Sequence, residues 1–189
     1  MEANFKQALA WVRKSEGGND DDPDDAGGRT SRGITQREYN AYCSMTGIKL
    51  GDVWDCPDAI VDDIYHRSYW MPYCPVLPPG VDYVFFDEAV NAGPGEAAYI
   101  LQKALMDMGF DLGPTGADRH IGILTSAALS KADPKRLVDF MSLERIRVYK
   151  AIEARIPRDR KYDRGWMARV AFAQNNAHTL VKTDAGAVA

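Results

Sequence analysis

The residues best suited to chemistry lie in the stretch from Ser15 to Thr35. Glu16 stands at the end of a segment whose apolar residues recur at helical spacing, and Gly17-Gly18 follows it at once. A loop with aspartates at positions 20, 21, 22, 24 and 25 comes next. Because glycines let such a loop bend sharply, a protonated and an ionised carboxyl group can face each other across a small cleft. Hydrolysis of a glycosidic bond requires that pair.

Two other interpretations of this acidic stretch involve no catalysis. A glutamate that ends a helix and precedes an acidic loop is commonly part of a solvated surface. A calcium loop of the EF-hand type instead needs oxygen ligands at alternating positions, glycine at position six and glutamate at position twelve. Counted from Asp20, position twelve is Ser31, and Ala26 stands where a later ligand should be. The calcium interpretation therefore fails, and we predict no metal site.

Other patterns for a nucleophile or a cofactor are weak. The chain has no Gly-x-Ser-x-Gly sequence, no phosphate-binding glycine pattern and no zinc spacing, so no cofactor is predicted. Most aromatic residues are expected in the core. Tyr69 and Trp70 stand near the helix-breaking Pro72, and flat rings of this kind pack on the apolar faces of sugars. These two residues are the best aromatic candidates for lining a cleft.

The composition is that of an ordinary globular domain. The chain has 189 residues, 46% of them apolar and 26% charged, with a net charge of −4. It has no basic patch for nucleic acid or anionic lipid, no run long enough to span a membrane and no signal peptide at its start. We therefore expect synthesis in the cytoplasm without stable membrane insertion. Cys43, Cys56 and Cys74 are odd in number and are predicted to be free thiols.

The pattern of apolar residues predicts a helix-rich chain. Thr35 and Glu38 predict a capping box, and the glycines and threonines before them fit a tight turn or a short hairpin. Asp133-Pro134 is predicted to open the longest helix, whose inward face is expected to include Leu143 or Glu144 and Ile146 or Arg147. The fold class is therefore α+β, predominantly α-helical, with one small β element near the N-terminus. Helices are predicted over about 4–16, 36–46, from Pro57 to the break at Pro72, 81–92, 96–108, 122–131, 134–154 and 165–180.

Several motifs resemble those of glycoside hydrolase family 108, which includes phage endolysins and related bacterial muramidases. The resemblance implies a lysozyme-like fold with a small β-hairpin near the N-terminus. It also implies hydrolysis of the β-1,4 bond between N-acetylmuramic acid and N-acetylglucosamine. The motifs are Glu16-Gly17-Gly18, Asp22-Pro23-x-Asp25-x-Gly27-Gly28-x-Thr30-x-x-Gly33-Ile34-Thr35, Tyr69-Trp70, Phe86-Asp87-x-Ala89-Val90-Asn91-x-Gly93-Pro94 and Gly165-Trp166-x-x-Arg169.

The resemblance also implies roles for individual residues. Glu16 corresponds to the catalytic acid of the family. By analogy with phage-type lysozymes, Asp25 is the expected second carboxylate, with Asp22 as second choice, and Thr30 or Thr35 is expected to position a water molecule. The residues expected to bind substrate are Asp22, Tyr69, Trp70 and Asn91.

Residues of about 94–131 are similar to a peptidoglycan-binding repeat. We expect this segment to be embedded in the C-terminal lobe of a single catalytic domain that spans residues 1–189. The expected partners are bacterial peptidoglycan and a separate holin-like pore that releases a monomeric enzyme to the cell wall. Two alternatives stay open: a lytic transglycosylase that yields 1,6-anhydro products, and a non-catalytic peptidoglycan-binding module built around residues 101–129.

Overall fold

A computed structural model describes residues 2–15, 19–20 and 29–185 of the chain. Within these ranges it contains eight α-helices and one antiparallel sheet of three very short strands. The predicted class, α+β with a predominance of helices, is therefore confirmed. The chain divides into two compact units, residues 5–72 and residues 1–4 with 73–189.

The unit of residues 5–72 combines the small sheet with three helices. Its backbone also makes a 3₁₀ turn at Val53–Asp55 and a π-helical turn at His66–Trp70. Its regular elements are α1 (Glu2–Ser15, which begins in the other unit), β1 (Asn19–Asp20), β2 (Thr30–Ser31), β3 (Ile34–Thr35), α2 (Gln36–Thr46) and α3 (Asp58–Tyr65).

The predicted hairpin is formed by β2 and β3. Arg32 and Gly33 join the two strands with φ angles of 50° and 79°, the left-handed conformation that a two-residue hairpin turn requires at both positions. This turn fixes a register in which Ser31 faces Ile34 and Thr30 faces Thr35. β1 adds a third strand on the other side of β2, which the sequence did not indicate.

The boundaries of α2 are those predicted from its terminal residues. The Thr35 hydroxyl accepts a hydrogen bond from the backbone N–H of Glu38, and the Glu38 side chain accepts one from the backbone N–H of Thr35, so both halves of the capping box are present. Gly47 ends the helix with φ 74°. The helix predicted from Pro57 to Pro72 is shorter than expected. α3 ends at Tyr65, and the chain reaches Pro72 through the π-helical turn.

The second unit is helical in its described part, and its core is built around one buried helix. That helix, α4 (Val81–Ala92), is buried at every position from Val81 to Ala89, including Asp82, Asp87 and Glu88. The other elements of this unit pack around α4 and one another. They are a 3₁₀ turn (Cys74–Val76), α5 (Pro94–Asp107), α6 (Ile123–Leu129), α7 (Pro134–Arg155), a second 3₁₀ turn (Pro157–Tyr162) and α8 (Asp163–Ala185).

The predictions for α7 were partly wrong. α8, with 23 residues, is one residue longer than α7, which was expected to be the longest helix. Of the two residues expected as alternatives on the inward face of α7, Glu144 is buried and Leu143 is 43% exposed. The buried Arg145 was not expected on that face. The cause is a pair of acidic residues on α4 that Arg145 neutralises.

Cys43, Cys56 and Cys74 are buried free thiols, as predicted. No helix among the described residues is long and apolar enough to cross a membrane.

Candidate active site

The residues predicted to act in the site are distributed over both units. Thr30, Thr35, Tyr69 and Trp70 belong to the unit of residues 5–72, and Asn91 belongs to the helical unit. The three predicted carboxylates, Glu16, Asp22 and Asp25, lie outside the described residues. In the sequence, Glu16 falls between α1 and β1, and both aspartates fall between β1 and β2.

Thr30 and Thr35 are neighbours across the hairpin. They are paired directly, and the next pair outward is joined by a hydrogen bond from the Gln36 N–H to the Arg29 carbonyl at 2.8 Å. In an antiparallel hairpin, a pair in this position has its side chains close together on one face. Both threonines are half-buried. The two residues expected to position water therefore share one face of the sheet.

The hydroxyl group of Thr35 is already engaged by Glu38. It donates to Oε2 of Glu38 at 2.8 Å and accepts from the Glu38 N–H at 3.2 Å. A hydroxyl group has one proton and two lone pairs, so its contacts with the described residues leave Thr35 one lone pair. It can accept a hydrogen bond from a water molecule, but it cannot donate one without breaking the cap.

Tyr69 joins this network through the second oxygen of Glu38. Its hydroxyl donates to Oε1 of Glu38, and its half-buried ring lies 6.0 Å from that of Tyr65. The structure thus brings Tyr69 and Thr35 together through a residue that the sequence indicated only as a helix cap. Nothing in the sequence signals the link to Tyr69, because residues 38 and 69 are far apart in the chain.

The start of β2 is held by a second cluster. Arg29 makes two hydrogen bonds to Asp52, at 2.9 and 2.7 Å, and its guanidinium group lies 3.5 Å from the centre of the Trp54 ring. The Trp54 indole N–H donates to the Thr30 carbonyl at 3.0 Å. The hydrogen bond from Arg29 lowers the pKa of Asp52. This cluster fixes the backbone at the point where the chain leaves the acidic loop.

Trp70 does not fit the role expected for it. Its side chain is completely buried, and its ring lies 5.5 Å from that of Phe5. A ring in this position stabilises the core and offers no face to a ligand. Of the two aromatic residues predicted to line a cleft, only Tyr69 is partly exposed.

Asn91 lies on the exposed end of α4, above a buried ionic cluster. Its side-chain N–H donates to the hydroxyl of Tyr149 on α7 at 3.0 Å. Below it, Arg145 pairs with Asp87 at 2.8 Å and with Glu88 at 2.6 Å, and Arg169 pairs with Asp87 at 3.1 Å. Asp87 and Arg169 belong to the quoted motifs. Tyr149, Arg145 and Glu88 had no signal in the sequence, because each depends on a contact between helices.

The electrostatics of this ionic cluster depend on its burial. Burial raises the pKa of Glu88, and it also raises the pKa of Tyr149. Burial alone would lower the pKa of Arg145, but Asp87 and Glu88 together raise it above the ordinary arginine value. Arg145 therefore stays charged, and Tyr149 keeps its proton at neutral pH.

The described residues contain no group of three or more histidine, cysteine, aspartate or glutamate side chains that could hold a metal ion. The predicted acidic loop falls mostly outside the described ranges.

Comparison with known proteins gives two family matches that follow one another along the chain. Residues 9–93 match the family model of glycosyl hydrolase 108, and residues 96–171 match that of a predicted peptidoglycan domain. The second match is longer than the repeat expected over 94–131. No curated protein matches the chain.

Among solved structures, that of Brucella abortus SagA is similar to this chain. The TM-score is 0.76 with 28% sequence identity, and the similarity covers 96% of this chain and 97% of the other. The expectation of a lysozyme-like, mainly helical α+β fold is thereby confirmed.

Proposed function

Because residues 9–93 place this chain in the glycosyl hydrolase 108 family, we propose that it is a muramidase of the lysozyme type. The protein acts on peptidoglycan, which the family of residues 96–171 also indicates. The proposed reaction is hydrolysis of the β-1,4 bond between N-acetylmuramic acid and N-acetylglucosamine. The observation that supports it best is the threonine pair on the hairpin next to the acidic loop, inside the matched hydrolase segment.

In this mechanism Glu16 is the general acid. It protonates the glycosidic oxygen as the bond breaks, while an ionised carboxylate stabilises the positive charge that develops on the sugar or directs a water molecule to it. We assign the second role to Asp25, with Asp22 as second choice. Thr35 supports this assignment with the one lone pair that its cap leaves open, and Thr30 lies beside it on the same face.

Substrate binding is assigned to exposed or half-exposed groups. Tyr69 contributes the edge of a half-buried ring, and Asn91 contributes an exposed side-chain amide. Trp70 contributes only indirectly, through the core that holds Tyr69 in place. The segment of residues 96–171 keeps the enzyme on the cell wall.

Mass spectrometry of the products tests the proposal. Purified peptidoglycan treated with the protein should release muropeptides that end in a reducing N-acetylmuramic acid. Release of 1,6-anhydro ends would identify a lytic transglycosylase instead, and wall binding without any new ends would identify a binding protein. The variant Glu16→Gln should bind walls as the wild type does and release product about 10²- to 10⁴-fold more slowly.

The choice of the second carboxylate has its own test. Asp25→Asn should reduce the rate of wall cleavage about 10²-fold or more, as expected for loss of a group that acts on the reacting centre. Asp24→Asn is the matched control, one residue earlier in the same loop, and should retain activity. Equal losses in both variants would overturn the assignment to Asp25.

A further inference from the structure

The structure assigns to Tyr149 and Glu88 a positioning role: they fix the side-chain amide of Asn91 so that its oxygen faces a hydrogen-bond donor of the ligand, the acetamido N–H of the glycan. This inference rests on the proposed function, in which Asn91 contacts the sugar.

The Asn91 side chain lies at the surface, and the two side chains that hold it are buried. Asn91 is exposed at the end of α4, whereas Tyr149 is only 3% exposed and Glu88 is completely buried. The Tyr149 ring is held from one side by Trp166 of α8, which stacks on it with ring centres 5.0 Å apart and an angle of 20° between the planes. The exposed amide of Asn91 is thus hydrogen-bonded to the hydroxyl of Tyr149, whose ring has little freedom to move.

The neighbours of the Tyr149 hydroxyl determine the direction of its hydrogen bonds. Among the described residues, three side chains contact it: Asn91 at 3.0 Å, Glu88 at 3.3 Å and Arg145 at 3.4 Å. Arginine can only donate, and a carboxylate can only accept. Glu88 is ion-paired with Arg145 at 2.6 Å, so the proton of Tyr149 goes to Glu88.

The lone pairs of the Tyr149 hydroxyl determine which end of the Asn91 amide faces it. Tyr149 gives its proton to Glu88 and one lone pair to Arg145, which leaves one lone pair. That lone pair can only accept, so the Nδ2 group of Asn91 must face Tyr149. An asparagine amide is otherwise free to turn over and exchange its donor and acceptor ends. Here the buried cluster holds Oδ1 away from Tyr149.

The consequence is selectivity for a donor. A ligand group that meets Oδ1 of Asn91 forms a hydrogen bond only if it donates, and a buried or half-buried acceptor without a donor is costly. The acetamido N–H of N-acetylglucosamine or N-acetylmuramic acid is such a donor. The hydroxyl groups at C3 and C6 are other donors, and oligosaccharides that differ only in the substituent at C2 separate a contact with these hydroxyls from a contact with the acetamido group.

The experiment uses calorimetry to measure the binding of two tetrasaccharides. One is the fully N-acetylated chitotetraose, and the other is cellotetraose, which has a hydroxyl group in place of each acetamido group. All proteins carry Glu16→Gln to prevent cleavage. The quantity compared is the ratio of the two dissociation constants. Asn91→Ala should reduce the preference for chitotetraose about three- to tenfold, the usual value of one hydrogen bond.

Tyr149→Phe should reduce the preference in the same direction but by less than Asn91→Ala does, because the released amide still presents its oxygen part of the time. Adding Tyr149→Phe to Asn91→Ala should have no further effect, because Tyr149 acts through Asn91. The control is Tyr162→Phe, which alters a 49% exposed tyrosine whose ring also contacts Trp166. This control should bind both sugars as the parent does. A structural effect of Tyr149→Phe would instead weaken both sugars equally and would add to Asn91→Ala.

If Tyr149→Phe does not fold at the assay temperature, Glu88→Gln provides the same test. A glutamine can donate to Tyr149, which then turns its proton to Asn91 and releases the amide, so the preference should again fall. An unchanged preference in Asn91→Ala, or in both Tyr149→Phe and Glu88→Gln, overturns the inference. Failure of the proposed function is a separate outcome, in which the protein without Glu16→Gln releases no reducing ends from peptidoglycan.

Discussion

Glu38 shows how one carboxylate can hold together residues that were expected to act on a ligand. Both of its oxygens are engaged, one by the backbone and hydroxyl of Thr35 and the other by the hydroxyl of Tyr69. The sequence predicted the first of these contacts, because a capping box is a local pattern. It did not predict the second, which joins α2 to the π-helical turn. Glu38, which contacts Thr35 directly, thus has a structural role.

Replacing Thr35 tests this role in stability. Thr35→Ala removes the hydroxyl that caps α2, and the free energy of unfolding should fall by about 1 kcal/mol. Thr35→Ser keeps the hydroxyl and should be close to the wild type in urea unfolding. The serine variant should also keep more wall-cleaving activity than the alanine variant. Equal stability of Thr35→Ala and the wild type would contradict the capping role.

Glu88→Gln tests the cost of burying a carboxylate. Because burial raises the pKa of Glu88 in the folded protein above its value in the unfolded chain, the folded state binds this proton more readily. Lowering the pH from about 7 to about 4 should therefore stabilise the wild type relative to the variant, which does not titrate at this position. Urea unfolding of both proteins at the two pH values measures the difference. A difference that shifts in favour of the variant in acid would refute this sign.

For helices and strands, local sequence patterns predicted the boundaries well. They predicted the contacts between helices poorly. The limits of α2 were predictable because the capping residues Thr35 and Glu38 and the terminal Gly47 all lie within the segment itself. The inward face of α7 was not, because the burial of Arg145 depends on two acids of α4. A helical pattern reports which residues are apolar, and it carries no information about charges that another helix will neutralise.

The start of α4 depends on another contact of this kind. Gly80 has φ +84°, and a Cβ atom added there would lie 2.7 Å from the Ala177 carbonyl oxygen of α8. Gly47 has a similar φ of +74°, but a Cβ atom added to it would meet nothing within 4 Å. Both glycines need the left-handed conformation, and only Gly80 also lies against another helix.

Substitution of the two glycines separates these costs. Gly47→Ala should lower the free energy of unfolding by about 1 kcal/mol, the cost of the left-handed conformation. Gly80→Ala should lower it by about 1–3 kcal/mol more, because the backbone of α8 must shift to admit the methyl group. Denaturant unfolding measures both. Equal losses would show that α8 does not constrain Gly80.

At the scale of the whole molecule, the family segments and the compact units divide the chain at different places. The hydrolase match ends at residue 93, after α4, whereas the helical unit already begins at Tyr73. α4 is buried from Val81 to Ala89 and packs on α5, α7 and α8. The hydrolase segment therefore contains a helix whose burial depends on residues beyond it. A single catalytic domain over residues 1–189 stays a prediction, and the position of α4 favours it.

The spacing of apolar residues predicted the helical class, and short motifs suggested the family whose model residues 9–93 match. The role of Glu16 stays a prediction. Packing brought Tyr149, Arg145 and Glu88 together near Asn91 and buried Trp70, and no motif indicated these contacts or this burial.

In the proposed mechanism, Glu16 is the acid that protonates the glycosidic oxygen. The most direct test is the rate at which the wild type, Glu16→Gln and Glu38→Gln release reducing ends from purified peptidoglycan, with folding of each variant checked by circular dichroism. Glu16→Gln should lower the rate about 10²- to 10⁴-fold, as expected for loss of a general acid. Folded Glu38→Gln should retain most of the activity, with lower stability. A nearly unchanged rate in Glu16→Gln, or an equal loss in folded Glu38→Gln, would contradict the assignment.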